Sequence, residues 1–219
     1  MTGDAAHHLG RVLRAEVGQL YELSDGKSAW LARIEKVARD RVEFSLTEPI
    51  SGRESALETT LLLSIVKFDS FEWALEKATE LGVRSIIPLA AARSEKALLH
   101  AAEKRAERWR KILLESSQQS RRVSIPELRS AEKPANAFKH STGFNVILSE
   151  REEAQHLKAV LPGAASQATL AIGPEGGWTD EELAAAEAAG FRQASLGSLI
   201  LRTETAVVSA LSNLNYALG

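Results

Sequence analysis

The stretch Leu170-Ala171-Ile172-Gly173-Pro174-Glu175-Gly176-Gly177-Trp178-Thr179-Asp180-Glu181-Glu182 decides how the chain is read. Its apolar start suits a strand buried on both faces. Three glycines around Pro174 follow, and they permit positive φ and close approach of a ligand to the main chain. Thr179 and Glu182 then stand at the spacing of a capping box, so a helix begins there. A buried strand, a glycine-rich turn and a helix predict an open α/β sheet whose ligands bind beyond the carboxyl ends of its strands. A purely structural strand-to-helix turn is the competing reading. Neither G-x-G-x-x-G nor a phosphate loop with its Lys occurs in the chain. Glu175, with no basic neighbour in sequence, makes the turn a poor pyrophosphate cradle. A ligand with a neutral or cationic centre fits it better.

Strand–helix alternation extends on both sides of this stretch. Thr59 to Val66 reads as a buried strand. A helix capped by Asp69 or Ser70 follows, with Phe71, Leu75, Ala78 and Leu81 inward and a stop at Gly82. Ser85–Leu89, Gly143–Leu148, Ala168–Ile172 and Arg192–Leu196 are further strands, and residues 100–117 form a basic helix. Strands separated by helices imply a mainly parallel sheet covered on both faces. Residues 1–50 differ. Gly18–Leu23, Ala29–Glu35 and Arg41–Leu46 alternate polar and apolar with turns between them, which predicts a small antiparallel barrel or sandwich. Pro49, Ser51 and Gly52 break that pattern, so the expected domains are 1–54 and 55–219.

Composition narrows the function classes. The 219 residues are 44% hydrophobic and 26% charged, the balance of a folded domain. The absence of cysteine excludes disulfides, thiolate catalysis, iron–sulfur clusters and zinc ribbons. No apolar run approaches the ~20 residues of a membrane helix, and Asp4, Arg11, Arg14 and Glu16 interrupt any signal-peptide core, so a cytoplasmic location is expected. His100, His140 and His156 are scattered without metal-ligand spacing, and no metal is expected. The net charge of −2 favours no partner, but its distribution is uneven. Arg84 to Arg129 holds eleven Lys and Arg against five Glu, whereas Ala168 to Gly190 holds five acids and no base. One surface is thus expected to attract polyanions.

A second signal lies in Leu196-Gly197-Ser198-Leu199-Ile200-Leu201-Arg202-Thr203-Glu204-Thr205-Ala206. An apolar loop meets Arg202 and Glu204 just before an apolar helix, with Thr203 as its cap. Charges placed there are costly unless paired or used. A structural Arg202–Glu204 ion pair and a catalytic pair both satisfy that requirement.

The two signals, in this order, resemble the C-terminal signature of the RsmE family of ribosomal RNA uridine-N3 methyltransferases, within the SPOUT (trefoil-knot) superfamily. Three further stretches extend the resemblance over nearly the whole chain. They are His7-His8-Leu9-Gly10-Arg11-Val12-Leu13-Arg14, Glu76-Lys77-Ala78-Thr79-Glu80-Leu81-Gly82-Val83, and Ser117-Gln118-Gln119-Ser120-Arg121-Arg122 with Ile125-Pro126-Glu127. The resemblance implies a PUA-like β-barrel over 1–54 and a SPOUT α/β domain over 55–219, with a mainly parallel sheet and a deep trefoil knot. The family's opening Arg-Phe-Phe-type strand is missing ahead of His7, so the barrel is expected to lack its first strand.

It further implies S-adenosylmethionine as methyl donor, a homodimer, and a uridine of 16S (small-subunit) rRNA, free or in the assembled subunit, as substrate. On the matching positions, the cofactor would lie against Leu148, Ile172, Gly173, Pro174, Glu175 and Gly176, and against Leu196, Gly197, Ile200, Leu201, Thr203 and Ala206. Arg11, Arg14, Arg121 and Arg122 would bind RNA. The uracil N3 is a poor nucleophile until its proton leaves. A cation at its carbonyls and a base for its proton are therefore expected, with Arg202 as the first and Glu204 as the second or as the group orienting Arg202. The dimer is expected on the C-terminal helix, where Val207, Val208, Leu211 and Leu214 spread over more than one face. A ribose 2′-O-methyltransferase of the same superfamily and a non-catalytic RNA-binding assembly factor are the alternatives.

Overall fold

The computed structural model describes residues 1–51 and 55–219. Gly52, one of the expected boundary residues, lies outside them. The chain divides into two compact units, Met1–Glu54 with Arg121–Ser124, and Ser55–Ser120 with Ile125–Gly219. The four residues that leave the expected second domain are tied to the first, where Ser24 Oγ donates to the Val123 carbonyl at 2.8 Å.

In the first unit, helix α1 (Gly3–His7) runs into a π-helical turn over His8–Val12. Strands β1 (Leu20–Ser24), β2 (Ala29–Val37) and β3 (Val42–Ile50) form an antiparallel sheet in that order. It is an open sheet of three strands among the described residues. Ala6 and Leu9 close a small core on Ile34 and Val42. Strand β3 does not stop at Pro49, which lies opposite Trp30. It is an edge strand, where a residue without an N–H costs no ladder bond.

The second unit contains β4 (Glu58–Ser64), α2 (Phe68–Glu80), β5 (Ser85–Leu89), α3 (Lys96–Gln119), β6 (Glu127–Leu128) and α4 (Pro134–Ala137). It continues with β7 (Phe144–Leu148), β8 (Gln155–His156), α5 (Leu157–Val160), β9 (Gln167–Ile172), α6 (Asp180–Ala188), β10 (Arg192–Ser195) and α7 (Thr203–Leu218). The seven strands pair in parallel in the order β6-β5-β4-β9-β7-β10-β8. The Leu-rich run of β4 serves both faces of the sheet. Leu61 and Leu63 join Phe71, Trp109 and Val207 on the side of α2, α3 and α7, while Leu62 joins Phe138, Trp178 and Leu183 on the side of α4 and α6.

Two helices start differently from their sequence expectation. Helix α2 has Lys67, not Asp69 or Ser70, at its N-cap, because Phe68 and Phe71 turn inward onto the Trp109 ring. Helix α7 has Arg202 at its N-cap, because the Thr203 hydroxyl is engaged elsewhere, donating to the Gly173 carbonyl at 3.2 Å. Trp109 is buried, whereas Trp73 is 43% exposed.

The connection from β9 through α6 places β10 on the far side of β7. Residues 196–202 then bring the chain back to β9, where Thr203 meets Gly173.

Candidate active site

The carboxyl ends of β7, β9 and β10 open into one cavity of about 890 Å3. That is within the range of small-molecule sites. Its walls are the segment Leu148–Glu152 after β7, the turn Ile172–Trp178 after β9, and the segment Ala194–Thr203 after β10. Lys67 and Ser70 at the start of α2, Arg93 after β5, and Ala154, Leu183 and Ala206 complete it.

The turn after β9 is held from several sides. A side chain on Gly173 would place its Cβ 3.0 Å from the Trp178 ring, and one on Gly176 would stand 3.2 Å from Arg93 Cβ. A side chain at either position would have to push its neighbour aside by a few tenths of an ångström, because the Trp178 and Arg93 side chains lie against the main chain there. Gly177 has φ +67° and its N–H donates to the Pro174 carbonyl at 2.8 Å, which closes the turn. Trp178 Nε1 donates to the Leu148 carbonyl at 2.8 Å, and Arg93 Nη1 donates to the Gly176 carbonyl at 2.8 Å.

The capping box is present as expected: the Thr179 hydroxyl accepts from the Glu182 N–H, and Glu182 accepts from the Thr179 N–H. Glu182 is buried, and its other oxygen accepts from the Ala92 N–H at 2.8 Å. One carboxylate therefore fixes both the start of α6 and the segment carrying Arg93. At the rim, Arg151 pairs with Asp180, and this hydrogen bond holds the Asp180 carboxyl below the usual aspartate range.

The segment after β10 is built in the opposite way. Residues 196–201 make no main-chain hydrogen bond among the described residues. Gly197 has φ +133°, and Leu199 and Ile200 are 79% and 76% exposed. The segment thus lines the cavity with free backbone donors and acceptors and with apolar side chains.

All twelve residues expected around the cofactor line this cavity, and so does Arg202. Glu204 does not. It lies half-buried in the first turn of α7, and neither an ion pair nor a hydrogen bond joins it to Arg202 among the described residues. Thr203 lines the cavity and Glu204, the residue after it, does not, and the alternative of a structural Arg202–Glu204 ion pair is not seen among the described residues. Arg11, Arg14, Arg121 and Arg122 all belong to the first unit. Arg14 (φ 51°) and Arg121 (φ 56°) are the two non-glycine residues with positive φ among the described residues. Such backbone costs about 1–3 kcal/mol and collects at functional positions.

Sequence reading missed Lys67, Ser70, Arg93 and the segment 149–152. The rule that ligands sit beyond parallel strand ends, applied to β4, β5 and β7 as it was to β9, would have marked them.

Residues 53–215 match the model of an RNA methyltransferase domain, and residues 1–47 match that of an RNA methyltransferase PUA domain. Ribosomal RNA small subunit methyltransferase E of Synechocystis sp. is 33% identical over all of this chain and 73% of its own length. The protein of that name from Bacillus subtilis is 30% identical over 99% of this chain and 89% of its own. A crystal structure of the Neisseria gonorrhoeae ribosomal RNA small subunit methyltransferase E, bound to S-adenosyl methionine, superposes with a TM-score of 0.91 at 31% identity. It covers all of this chain and 91% of that one. With its strand-end cavity, its parallel sheet and these matches along its whole length, the chain belongs to the ribosomal RNA small subunit methyltransferase E family.

Proposed function

We propose that this protein transfers a methyl group from S-adenosylmethionine to N3 of one uridine in 16S rRNA. The observation that carries the reading is the pairing, in one cavity, of unengaged main chain over residues 196–201 with the Arg202 guanidinium. Free N–H and C=O groups suit the edge of an adenine, which offers both acceptors and donors. The close approach allowed at Gly173 and Gly176 suits a ribose laid against backbone. The bound cofactor supplies a methyl group activated by a sulfonium sulfur.

The chain's own residues then have three tasks. Trp178, Leu148 and the turn after β9 hold a rigid wall, so that positioning contributes to the rate. Arg202 meets the uracil carbonyl oxygens, where negative charge collects as N3 loses its proton. Arg11, Arg14, Arg121 and Arg122 hold phosphates of the RNA while the target base is unstacked into the cavity. Glu150, Glu152 and Glu175 line the cavity and Glu204 does not, and none of the four is assigned the N3 proton, which goes to solvent.

A homodimer is part of this reading, on a different basis from the one expected. Val207, Leu211 and Leu214 are consumed by the protein's own core, while Val208 stays half-buried outside it, and Leu199, Ile200 and Tyr216, the last 93% exposed, are also open to a second copy. Mass mapping of nucleosides from small-subunit rRNA of a deletion strain tests the function. Loss of 3-methyluridine, restored by the gene, is expected. Loss of a 2′-O-methyl nucleoside, or of none, would overturn it.

A further inference from the structure

The cavity holds a second cation that neither the expected site nor the mechanism above uses. Lys67 lines it, as Arg202 does, and neither side chain makes an ion pair or hydrogen bond among the described residues. The other two cations on the wall are engaged, Arg93 with the Gly176 carbonyl and Arg151 with Asp180. The strand register brings the free pair toward one place. Leu63 of β4 lies beside Ile172 of β9, so the chain leaving β4 for Lys67 runs alongside the Gly173 turn to which Thr203 is bonded. Helices α2 and α7 pack side by side, with Lys67 at the N-cap of one and Arg202 at the N-cap of the other.

Both choices are locally unfavourable. An N-cap is normally an oxygen-bearing side chain, and a cation at the positive end of the helix dipole is destabilising. Helix α6, on the same cavity, follows the rule with Thr179 and Glu182. Both side chains are exposed, so two unpaired cations at two helix starts give this cavity wall a positive charge open to an anionic group, and locally costly choices of this kind gather at functional sites.

We propose that Lys67 is a second catalytic cation, holding one uracil carbonyl oxygen while Arg202 holds the other, so that the pair lowers the pKa of the bound N3. The role rests on the N3-methylation reading. A deprotonated uracil carries its charge on O2, N3 and O4, and two cations favour that form over the neutral base. The N3 proton goes to solvent and the N3 lone pair forms the new N–CH3 bond. The electrons of the broken S–CH3 bond remain on sulfur, which passes from sulfonium to thioether. Other charges bear on the same space. Glu150 and Glu152 after β7 and Glu175 after β9 line the cavity, and Asp69 lies one turn into α2. Carboxylates oppose the loss of a proton from N3, which makes two cations more useful than one.

The test uses Lys67→Gln and Lys67→Arg, assayed on small-subunit rRNA prepared with uridine or with 5-fluorouridine, whose N3 is intrinsically more acidic. Turnover by K67Q on the uridine substrate is expected to fall about 10²–10³-fold at neutral pH. Its pH–rate profile should move to the alkaline side, with binding of S-adenosylhomocysteine unchanged. The 5-fluorouridine substrate should recover at least tenfold of the loss, and K67R most of it. Equal losses on both substrates would show a merely structural role and overturn the proposal, as would turnover by K67Q within threefold of wild type. A wild-type product other than 3-methyluridine would sink the N3 reading and this role together. 3-Methyluridine formed equally well by K67Q would sink this role alone.

Discussion

Two junctions in this molecule do the same topological job by opposite means. Each leads from a parallel strand to a helix and each lines the same cavity, one from β9 to α6 and the other from β10 to α7. The first is held by the Trp178–Leu148, Arg93–Gly176 and Glu182–Ala92 hydrogen bonds and by its capping box. The second has six residues without a main-chain hydrogen bond, two exposed apolar side chains and one tether, Thr203 to Gly173. The difference separates two requirements of a binding cavity. A wall that positions a ligand has to be over-determined by its own protein, whereas a wall that recognises one has to leave donors and acceptors unspent.

The comparison breaks most readily at Trp178. Trp178→Ala removes a buried ring against Gly173 and a bond to Leu148, and is expected to lower stability by about 3–5 kcal/mol. The measurement is the urea midpoint at unchanged slope, with Ser198→Ala, at an exposed position, as the counterpart on the other junction. Surface changes of that second kind stay within about 0.5 kcal/mol. If the two variants cost the same, the contrast is wrong.

Arg202→Ala sharpens the other half. It is expected to cut turnover about 10²–10³-fold, with the urea midpoint and S-adenosylhomocysteine affinity nearly unchanged. Glu182→Ala leaves the Ala92 and Thr179 N–H groups without their acceptor, and about 1–3 kcal/mol of stability should go with it. The smallest effect is electrostatic. Because Arg151 holds the Asp180 carboxyl below its ordinary range, that contact contributes fully above about pH 5 and fades as pH falls through the lowered folded value. The difference in urea midpoint between wild type and Asp180→Asn should therefore be present at neutral pH and close on acidification.

What was legible in the sequence was local. The apolar runs of β4, β7 and β9 and the Thr179–Glu182 box depend on neighbours a few residues away, and the structure has them in place. The glycine-rich turn and the 196–203 segment were legible as ligand walls because positive φ and uncovered apolar residues leave a mark in sequence. The misses were set by distant contacts. Asp69 and Ser70 are better caps than Lys67, but Phe68 and Phe71 pack on Trp109, which is contributed by α3. Thr203 is a good cap whose hydroxyl is claimed by Gly173, thirty residues earlier. Glu204, one residue past Thr203, is not on the cavity wall that Arg202 and Thr203 share. The two-residue strands β6 and β8 are too short to impose any periodicity, and they exist only as partners to β5 and β10.

The central position of β9 has a consequence for how the protein is made. It lies between β4 and β7 but is synthesised after both, and the Glu58–Gln167 side-chain bond spans 109 residues. During translation, β4 therefore waits with one of its edges unpaired and Leu61, Leu62 and Leu63 without a neighbour on that side. Folding that depends on such distant pairing is slow, and an uncovered apolar strand is what aggregates or is captured by chaperones in the meantime. A nascent chain stalled before Gln167 should be held by chaperones, and one extended past Ile172 should be released from them.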